Sequence, residues 1–342
     1  MFNIFRRPAG VVLFLYFLFG STAHADECRL EQVASLDMTQ APQGLIVPVS
    51  IEGTTNSMIV DTGAPLSTVD PKVATELHLT THRIRQGAMF TSGGQQFTDM
   101  AVIRQLQIGA MHAADLKFLV YPVRLSNGSE IAGLLGADFL RHYELDLDFG
   151  AHKLNLFSQS HCPGKVVYWP ADAVAVVPMH VANSGHIIVP VTLEDHQFAA
   201  VFDTGAFGTI LTLEAAENYF RLKPGSPEMP ATSESSKSAA PFYKHMFKEL
   251  TLEGITIKYP VVFMRSDLRK SGMSQWTETG SRLSSAGESG GVTDLILGMN
   301  ELRHLHIFVS YKEQKLYITA ASPAAPTKQT EIPASASEQK AN

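Results

Sequence analysis

Short runs of apolar residues, separated by Gly, Pro and Asn, recur along most of the chain. Runs of this length and composition predict β-strands, which in the first half lie at Leu45–Ile51, Met58–Val60, Met100–Ile108, Leu116–Tyr121 and Leu145–Phe149. The helical candidates are short, namely Pro71–Leu77, Leu213–Tyr219 and a turn or two after each later Leu-Gly pair. The pattern predicts an all-β fold with minor helices.

An internal repeat relates the two halves of the chain. The sequence Ile-Val-Pro-Val occurs at residues 46–49 and again at 188–191, and an aspartate follows each proline by 13 residues. These aspartates, Asp61 and Asp203, each end an apolar run and open the tetrapeptide Asp-Thr-Gly-Ala. Further on, residues 134–142 match residues 296–304 at a constant offset of 162. One ancestral unit is therefore used twice.

The repeat sets the expected domain organisation. We expect a signal peptide at 1–25, an N-terminal segment at 26–44, a first lobe at 45–157, a connector at 158–186, a second lobe at 187–320 and a disordered tail at 321–342. The connector has room for a strand between the lobes. The tail is rich in Ala, Pro, Ser and Thr and has no apolar periodicity, a composition that predicts disorder.

The first residues have the pattern of an export signal. Arg6 and Arg7 precede an apolar run at Val11–Phe19, and Ala23-His24-Ala25 supplies a small-x-small cleavage site. The apolar run is too short to cross a bilayer, which needs about 20 helical residues. We expect cleavage after Ala25 and an exported protein, periplasmic or secreted, without a stable membrane anchor. An uncleaved N-terminal anchor is the alternative.

Composition narrows the possible function classes. The chain has 342 residues, of which 45% are hydrophobic and 18% charged, and this much apolar surface excludes a disordered chain. The net charge of −6 provides no basic field, so nucleic acid is not an expected partner. The two cysteines, Cys28 and Cys162, are too few for a thiolate zinc site. Export favours a disulfide between them, and two unpaired residues are the alternative.

Two Asp-Thr-Gly turns in one chain indicate a specific chemistry. Glycine permits a tight loop whose amides approach the carboxylate, and the threonine hydroxyl can bond main chain across an interface between the copies. If the repeat brings Asp61 and Asp203 together, the two like charges cannot both ionise, so the pair holds one proton. The ionised member then activates a water as general base, and the protonated member hydrogen-bonds the carbonyl under attack. This chemistry needs no metal, cofactor or nucleophilic side chain.

With these motifs the chain resembles the aspartic proteases of the retroviral and pepsin type. Their catalytic loop has the signature apolar-apolar-Asp-Thr-Gly-Ala-x-x-Ser/Thr, and the later apolar-apolar-Gly-x-Asp/Asn-x-Leu passes beneath it. Both motifs occur twice here, over about residues 45–157 and 187–319. The resemblance implies a monomeric, bilobal all-β aspartic endopeptidase with two retropepsin-like β-barrel lobes, a central cleft and a peptide or protein substrate. A catalytically silent peptide-binding protein of the same fold is the alternative function.

The motifs also nominate site residues. Asp61 and Asp203 are the predicted catalytic pair, and the predicted supporting residues of the loops are Thr62, Gly63, Thr204, Gly205, Ser67 and Thr209. Ser67 and Thr209 are expected to brace their loops through Asp138 and Asn300. The resemblance further implies a flap over the substrate, for which the candidate is the Gly-tipped hairpin Met89, Phe90, Thr91, Ser92, Gly93 and Gly94. An ordinary surface hairpin is the alternative. The matching stretch of the second lobe, Thr232–Ala240, has no apolar tip, so we expect the lobes to differ there.

Two further patterns carry expectations. Ala64 and Ala206 stand where pepsin-type loops often have Ser or Thr, and the missing hydroxyl donor leaves the ionised carboxylate less stabilised. We therefore expect activity at mildly acidic to near-neutral pH. His78 and His82 have the i, i+4 spacing of a metal pair, but no Glu accompanies them as a metalloprotease motif requires. We expect a solvated face there and no metal site.

Overall fold

The computed structural model describes residues 29–41, 44–84, 89–90, 96–123, 130–232, 241–265 and 293–322. Within these ranges the chain forms 27 β-strands and four short helices, so the all-β prediction from the apolar pattern is confirmed. The predicted signal peptide, Cys28 and the tail from residue 323 lie outside the described residues.

The elements have the following bounds. The first half contains β1 (Gln32–Asp37), β2 (Thr39–Ala41), β3 (Gly44–Ile51), β4 (Thr54–Val60), β5 (Thr68–Val69), α1 (Pro71–Glu76), β6 (Thr80–Arg83), β7 (Met89–Phe90), β8 (Gln96–Phe97), β9 (Asp99–Ile103), β10 (Leu106–Ile108), β11 (Met111–Ala113), β12 (Leu116–Val120), β13 (Gly133–Leu135), α2 (Ala137–Leu140), β14 (Glu144–Asp148) and β15 (Lys153–Phe157). The second half contains β16 (Ala175–Pro178), β17 (His180–Val181), β18 (Ile187–Leu193), β19 (His196–Phe202), β20 (Ile210–Thr212), α3 (Leu213–Phe220), β21 (Tyr243–Met246), β22 (Glu249–Leu252), β23 (Ile255–Lys258), β24 (Val261–Arg265), β25 (Leu295–Leu297), α4 (Met299–Leu302), β26 (Leu305–Ser310) and β27 (Lys315–Ala320).

Each half builds one large sheet, and the two sheets share the same order of eight strands, to which the first sheet adds β6 at one edge. In the first, the order is β11-β10-β3-β4-β13-β5-β12-β9-β6, with β2 also paired to β3. In the second it is β23-β22-β18-β19-β25-β20-β24-β21, with β17 also paired to β18. Both contain one parallel pair beside the motif-bearing strand, β4 with β13 and β19 with β25. The sequence repeat is thus a repeat of structure.

Side-chain alternation explains how the repeated strands are buried. Along β3 the residues Leu45, Val47, Val49 and Ile51 are buried, as expected for a strand whose alternate side chains face the core. Their counterparts in β18, at 187, 189, 191 and 193, are buried in the same way. Pro48 lies in a stretch of β3 that pairs with neither β2 nor β10. Pro190 lies in a stretch of β18 that pairs with neither β17 nor β22. A proline is tolerated at such a position because no ladder partner needs its missing N–H.

A third sheet joins the two halves. Its order is β1-β15-β14-β26-β27-β16, and its centre is the antiparallel pair β14 and β26. In that pair Asp146 is opposite Phe308, which is its own counterpart at the offset of 162. A residue opposite its own counterpart marks a pseudo-twofold axis. The axis relates the two lobes, and the continuous sheet fixes their relative position.

The connector between the lobes contributes β16, one edge of this shared sheet. Its earlier part is held by a buried hydrogen bond and by a ring stack. His161 Nε2 lies 2.8 Å from Glu144 Oε1, and the Trp169 ring stacks on that of His306 with centroids 3.9 Å apart. Cys162 in the same segment is disulfide-bonded. These contacts fasten the connector to the sheet that sets the distance between the lobes.

One predicted strand was wrong in detail. The run Met100–Ile108 reads as a single strand, but it forms β9 and β10 with a bend at Arg104 and Gln105. The backbone amides of both bend residues donate to the carboxylate of Glu52, in the turn between β3 and β4. This side chain takes the place of ladder partners, so an apolar run continuous in sequence is divided in space.

Candidate active site

The chain positions Asp61 and Asp203 in equivalent ways. Each aspartate follows the last residue of its strand, β4 or β19, and its backbone N–H donates to the last carbonyl of the parallel neighbour. The two hydrogen bonds, to Leu135 O and Leu297 O, are both 3.0 Å long. The parallel strand pairs of the two sheets thus hold the two aspartates at equivalent positions on either side of the pseudo-twofold axis.

The two threonines lock the loops to each other. Thr62 N donates to Thr204 Oγ1 and Thr204 N to Thr62 Oγ1, both at 3.1 Å. Each hydroxyl in turn donates to a carbonyl of the opposite lobe, Thr62 to Phe202 O at 2.8 Å and Thr204 to Val60 O at 2.7 Å. Both side chains are essentially inaccessible, at 1% and 0% exposure. Buried hydrogen bonds of this kind are expensive to break, so the loops cannot separate without a large cost.

The motif glycines provide room for the opposite carboxyl group. A Cβ atom on Gly63 would lie 2.2 Å from Cγ of Asp203, and one on Gly205 would lie 2.3 Å from Cγ of Asp61. No side chain fits at either position without moving an aspartate. The requirement for glycine therefore comes from the close approach of the two loops.

The two carboxyl groups are hydrogen-bonded to each other and half-buried between the lobes. Asp61 Oδ1 accepts from Gly63 N at 3.0 Å. Asp203 Oδ1 accepts from two amides, Gly205 N at 2.8 Å and Ala206 N at 3.0 Å. Amide donors stabilise the ionised form of a carboxyl group, and the amides of Gly63 and Ala64 have this effect on Asp61 as those of Gly205 and Ala206 have on Asp203.

The pKa values of the pair are both raised, chiefly by burial. Removal from solvent and the adjacent Asp203 charge raise the pKa of Asp61 well above its usual range. Removal from solvent also raises the pKa of Asp203, but the amides of Gly205 and Ala206 and the imidazole of His186 oppose that rise. Loss of solvation thus raises the pKa of both members of the pair.

A family model described as aspartyl protease matches residues 47–139 and matches again at 189–300. Each match contains one Asp-Thr-Gly loop and the glycine segment beneath it. The chain belongs to the aspartyl protease family. A comparison with curated proteins found no match.

The segment beneath each loop of this aspartyl protease holds the loop from below. Ser67 donates through its amide and its hydroxyl to Asp138 Oδ1, at 2.9 and 2.7 Å, and Gly136 N donates to Ser67 Oγ at 3.0 Å. In the second lobe, Thr209 N donates to Asn300 Oδ1 at 2.6 Å. The expected bracing partners are therefore in contact, with a carboxylate in one lobe and an amide in the other.

His186 is a site residue that the sequence reasoning missed. Its Nε2 lies 2.8 Å from the Gly63 carbonyl oxygen and its Nδ1 lies 2.6 Å from Ser184 Oγ. It directly precedes the second Ile-Ile-Val-Pro-Val run, where the first copy has Gly44. The signal that could have found it is this change from glycine to histidine between the copies, beside the repeated Ile-Val-Pro-Val motif.

The predicted flap lies only partly within the described residues. The strands that contain Met89 and Phe90 and, on the other arm, Gln96 and Phe97 pair antiparallel. The candidate tip residues Thr91, Ser92, Gly93 and Gly94, and residues 233–240 of the second lobe, lie outside the described residues. The assignment of a flap stays a prediction.

Neither a metal centre nor a membrane-spanning helix is found within the described ranges. No group of three or more His, Cys, Asp or Glu side chains there is arranged to hold a metal ion. No helix within them combines the length and the apolar composition needed to span a membrane.

Proposed function

We propose that this protein is an aspartic endopeptidase that hydrolyses peptide bonds through a water molecule activated by Asp61 and Asp203. The observation that carries the proposal is the carboxyl pair itself: two aspartates, hydrogen-bonded to each other, in a main-chain frame locked by reciprocal threonine bonds. Membership of the aspartyl protease family supports it.

We assign a role to each carboxyl group from the imidazole of His186, which favours the charge on Asp203, and we place the one shared proton on Asp61. Asp203, which holds the charge, removes a proton from the water as the water oxygen bonds to the carbonyl carbon. Asp61 gives its proton to the carbonyl oxygen, which completes a tetrahedral diol. In the second step Asp203 transfers its new proton to the leaving nitrogen while the C–N bond breaks. Asp61 takes a proton from a diol hydroxyl, so that both groups return to their starting states.

The rest of the proposal concerns the setting of the enzyme. Because one chain carries both aspartates and joins its lobes through a continuous sheet, we expect a monomer to be sufficient for activity. The positively charged and apolar start of the chain supports export and removal of residues 1–25. The substrate is a peptide or protein segment that enters the cleft in an extended conformation, since a strand-like substrate exposes its backbone to both lobes.

The test compares four proteins on a peptide library over pH 3–8, with and without pepstatin. They are the mature chain, its Asp61→Asn and Asp203→Asn variants, and an Asp172→Asn control. Asp172 is exposed in the connector, so its variant tests the same chemical change away from the cleft. We expect pepstatin-sensitive cleavage by the mature chain and the control, and its loss in both dyad variants.

Two results would contradict the proposal. Cleavage that survives either dyad substitution excludes the shared-water mechanism. A mature chain that binds peptides in the cleft but cleaves none of them at any pH identifies a silent binding protein of the same fold.

A further inference from the structure

The two sides of the aspartate pair are not equivalent, and the difference originates outside the Asp-Thr-Gly loops. On the second-lobe strand β18 the motif is preceded by His186, and on the first-lobe strand β3 the same position is Gly44. Gly44 has no space for a side chain, because a Cβ there would lie 2.9 Å from Thr204 O and 3.1 Å from Ile59 Cγ2. An imidazole is therefore accommodated on one side of the cleft only.

The His186 side chain is fixed by contacts on both of its nitrogens. Gly63 O is a pure acceptor, so the nitrogen 2.8 Å from it, Nε2, carries a proton. Ser184 Oγ lies 2.6 Å from the other nitrogen. The turn that carries the ring is pressed against α2, where a Cβ on Gly185 would lie 2.6 Å from that of Ala137. With 5% of its surface exposed, the ring has a single well-defined position.

In this position the imidazole lies close to both Asp-Thr-Gly loops. It hydrogen-bonds the loop of Asp61 through Gly63 O, and Gly63 lies against the other carboxyl group, since a Cβ on it would be 2.2 Å from Cγ of Asp203. A positive charge on the ring would oppose the rise in the pKa of Asp203. Besides the two aspartates, titratable side chains on the elements packed beside this turn include Asp138, which follows Ala137 in α2, and the exposed His180 on β17, the strand paired with β18. Asp138 already accepts hydrogen bonds from Ser67 and Phe139.

We propose that His186 is a positioning residue that breaks the symmetry of the aspartate pair, keeping the negative charge on Asp203 and the proton on Asp61. The assignment of Asp203 as base and Asp61 as acid rests on the proposed function. The distribution of charge within the pair does not depend on that function, and it can be measured in a protein that has no activity at all.

The experiment separates the charge of the ring from its hydrogen bond. His186→Gln keeps a side-chain N–H donor for Gly63 O but cannot become positively charged, and His186→Leu loses both properties. His180→Gln, an exposed histidine on the neighbouring strand, is the matched control. Near-ultraviolet circular dichroism establishes which variants retain the native fold.

The first readout needs no substrate. Aspartate labelled with ¹³C at the side-chain carboxyl carbon is titrated by NMR, and the two resonances of the pair are assigned with Asp61→Asn and Asp203→Asn. We expect both His186 variants to raise the lower of the two apparent pKa values by about one unit, the usual size of a nearby-charge effect. The His180→Gln control should titrate like the unmodified chain.

The second readout is the pH dependence of kcat/KM. We expect its acidic limb to move upward by about one pH unit in both His186 variants, which lowers the rate about tenfold on that limb. A shift in His186→Leu alone, with His186→Gln unchanged, would assign the residue a hydrogen-bonding role and overturn the proposal. An NMR titration unchanged in both variants would also overturn it, even if the enzyme is active. An inactive enzyme with the expected NMR shift would instead remove the proposed function and leave this inference standing.

Discussion

A buried carboxyl group in α4 leads to a quantitative prediction about stability. Glu301 is 4% exposed and accepts a hydrogen bond from Asn300 Nδ2 at 2.9 Å. Removal from solvent raises its pKa from 4.5 to about 7, with a partly opposing effect of Arg303. Its counterpart in the first lobe at the offset of 162 is the apolar Phe139. The second lobe thus contains an ionisable group where the first has none.

The size and sign of the effect follow from this shift. The folded protein binds the Glu301 proton more tightly than the unfolded chain does, so the associated stability is fully present below pH 4.5 and is lost as the pH rises through 7. A shift of about 2.5 units corresponds to about 3 kcal/mol, at roughly 1.4 kcal/mol per unit. Glu301→Gln keeps an oxygen acceptor for Asn300 and removes the ionisation. The free energy of unfolding of the Glu301→Gln variant should therefore not fall in this way as the pH rises.

The assay is urea unfolding of the mature chain and the variant between pH 4.5 and 8.5. We expect equal free energies of unfolding at pH 4.5 and a difference of about 3 kcal/mol in favour of Glu301→Gln above pH 8. Glu217→Gln, at an exposed position on α3, is the control and should show no such trend. A difference that does not change with pH, or a variant that is less stable at pH 8, would refute the reasoning.

The remaining predictions concern the cleft. Thr62→Val and Thr204→Val should each lower the free energy of unfolding by roughly 2–4 kcal/mol, because each leaves a buried amide and a buried carbonyl of the opposite lobe unpaired. A double-mutant cycle should show strong coupling, and additive effects would contradict the reciprocal bonds. Gly63→Ala and Gly205→Ala should reduce kcat/KM by about 100-fold or more in a folded protein, because the added methyl group displaces a carboxyl group. Wild-type kinetics in either variant would disprove the close approach. The pH–rate profile should have its maximum at mildly acidic to near-neutral pH, since both pKa values of the pair are raised, and a maximum near pH 2–3 would contradict this.

Much of the fold was predictable because the same sequence pattern occurs in both halves of the chain. Apolar residues at alternate positions gave β3 and β18, and the repeated motif located the end of each following strand. The short helices were predictable where local signals exist: α1 begins with Pro71, and the side chain of Asp70 caps it by accepting from Lys72 N. In α3 the hydroxyl of Thr212 accepts from Ala215 N in the same way.

The parts that could not be predicted depend on partners far away in sequence. The strand β1 is defined by its pairing with β15, in which Leu36 is opposite Leu154, and no local period identifies such a partner. The bend between β9 and β10 is made by the carboxylate of Glu52. His186 contacts a carbonyl 123 residues earlier in the chain. Pattern analysis gives the elements and the motif, whereas these contacts arise only when the lobes are brought together.

The pseudo-twofold axis brings equivalent positions face to face in two places, and the chain treats them differently. In the shared sheet Asp146 is opposite Phe308, and its carboxylate accepts hydrogen bonds from Asn155, Tyr168 and His306. A second aspartate at that position would bury two like charges against each other, an arrangement that is unfavourable unless each charge is paired. In the cleft Asp61 and Asp203 do place two carboxyl groups against each other, and the raised pKa values of both reflect the cost of ionising them there. Stability alone favours the solution found in the sheet, so the retention of two carboxyl groups in the cleft is better explained by a chemical role that needs both.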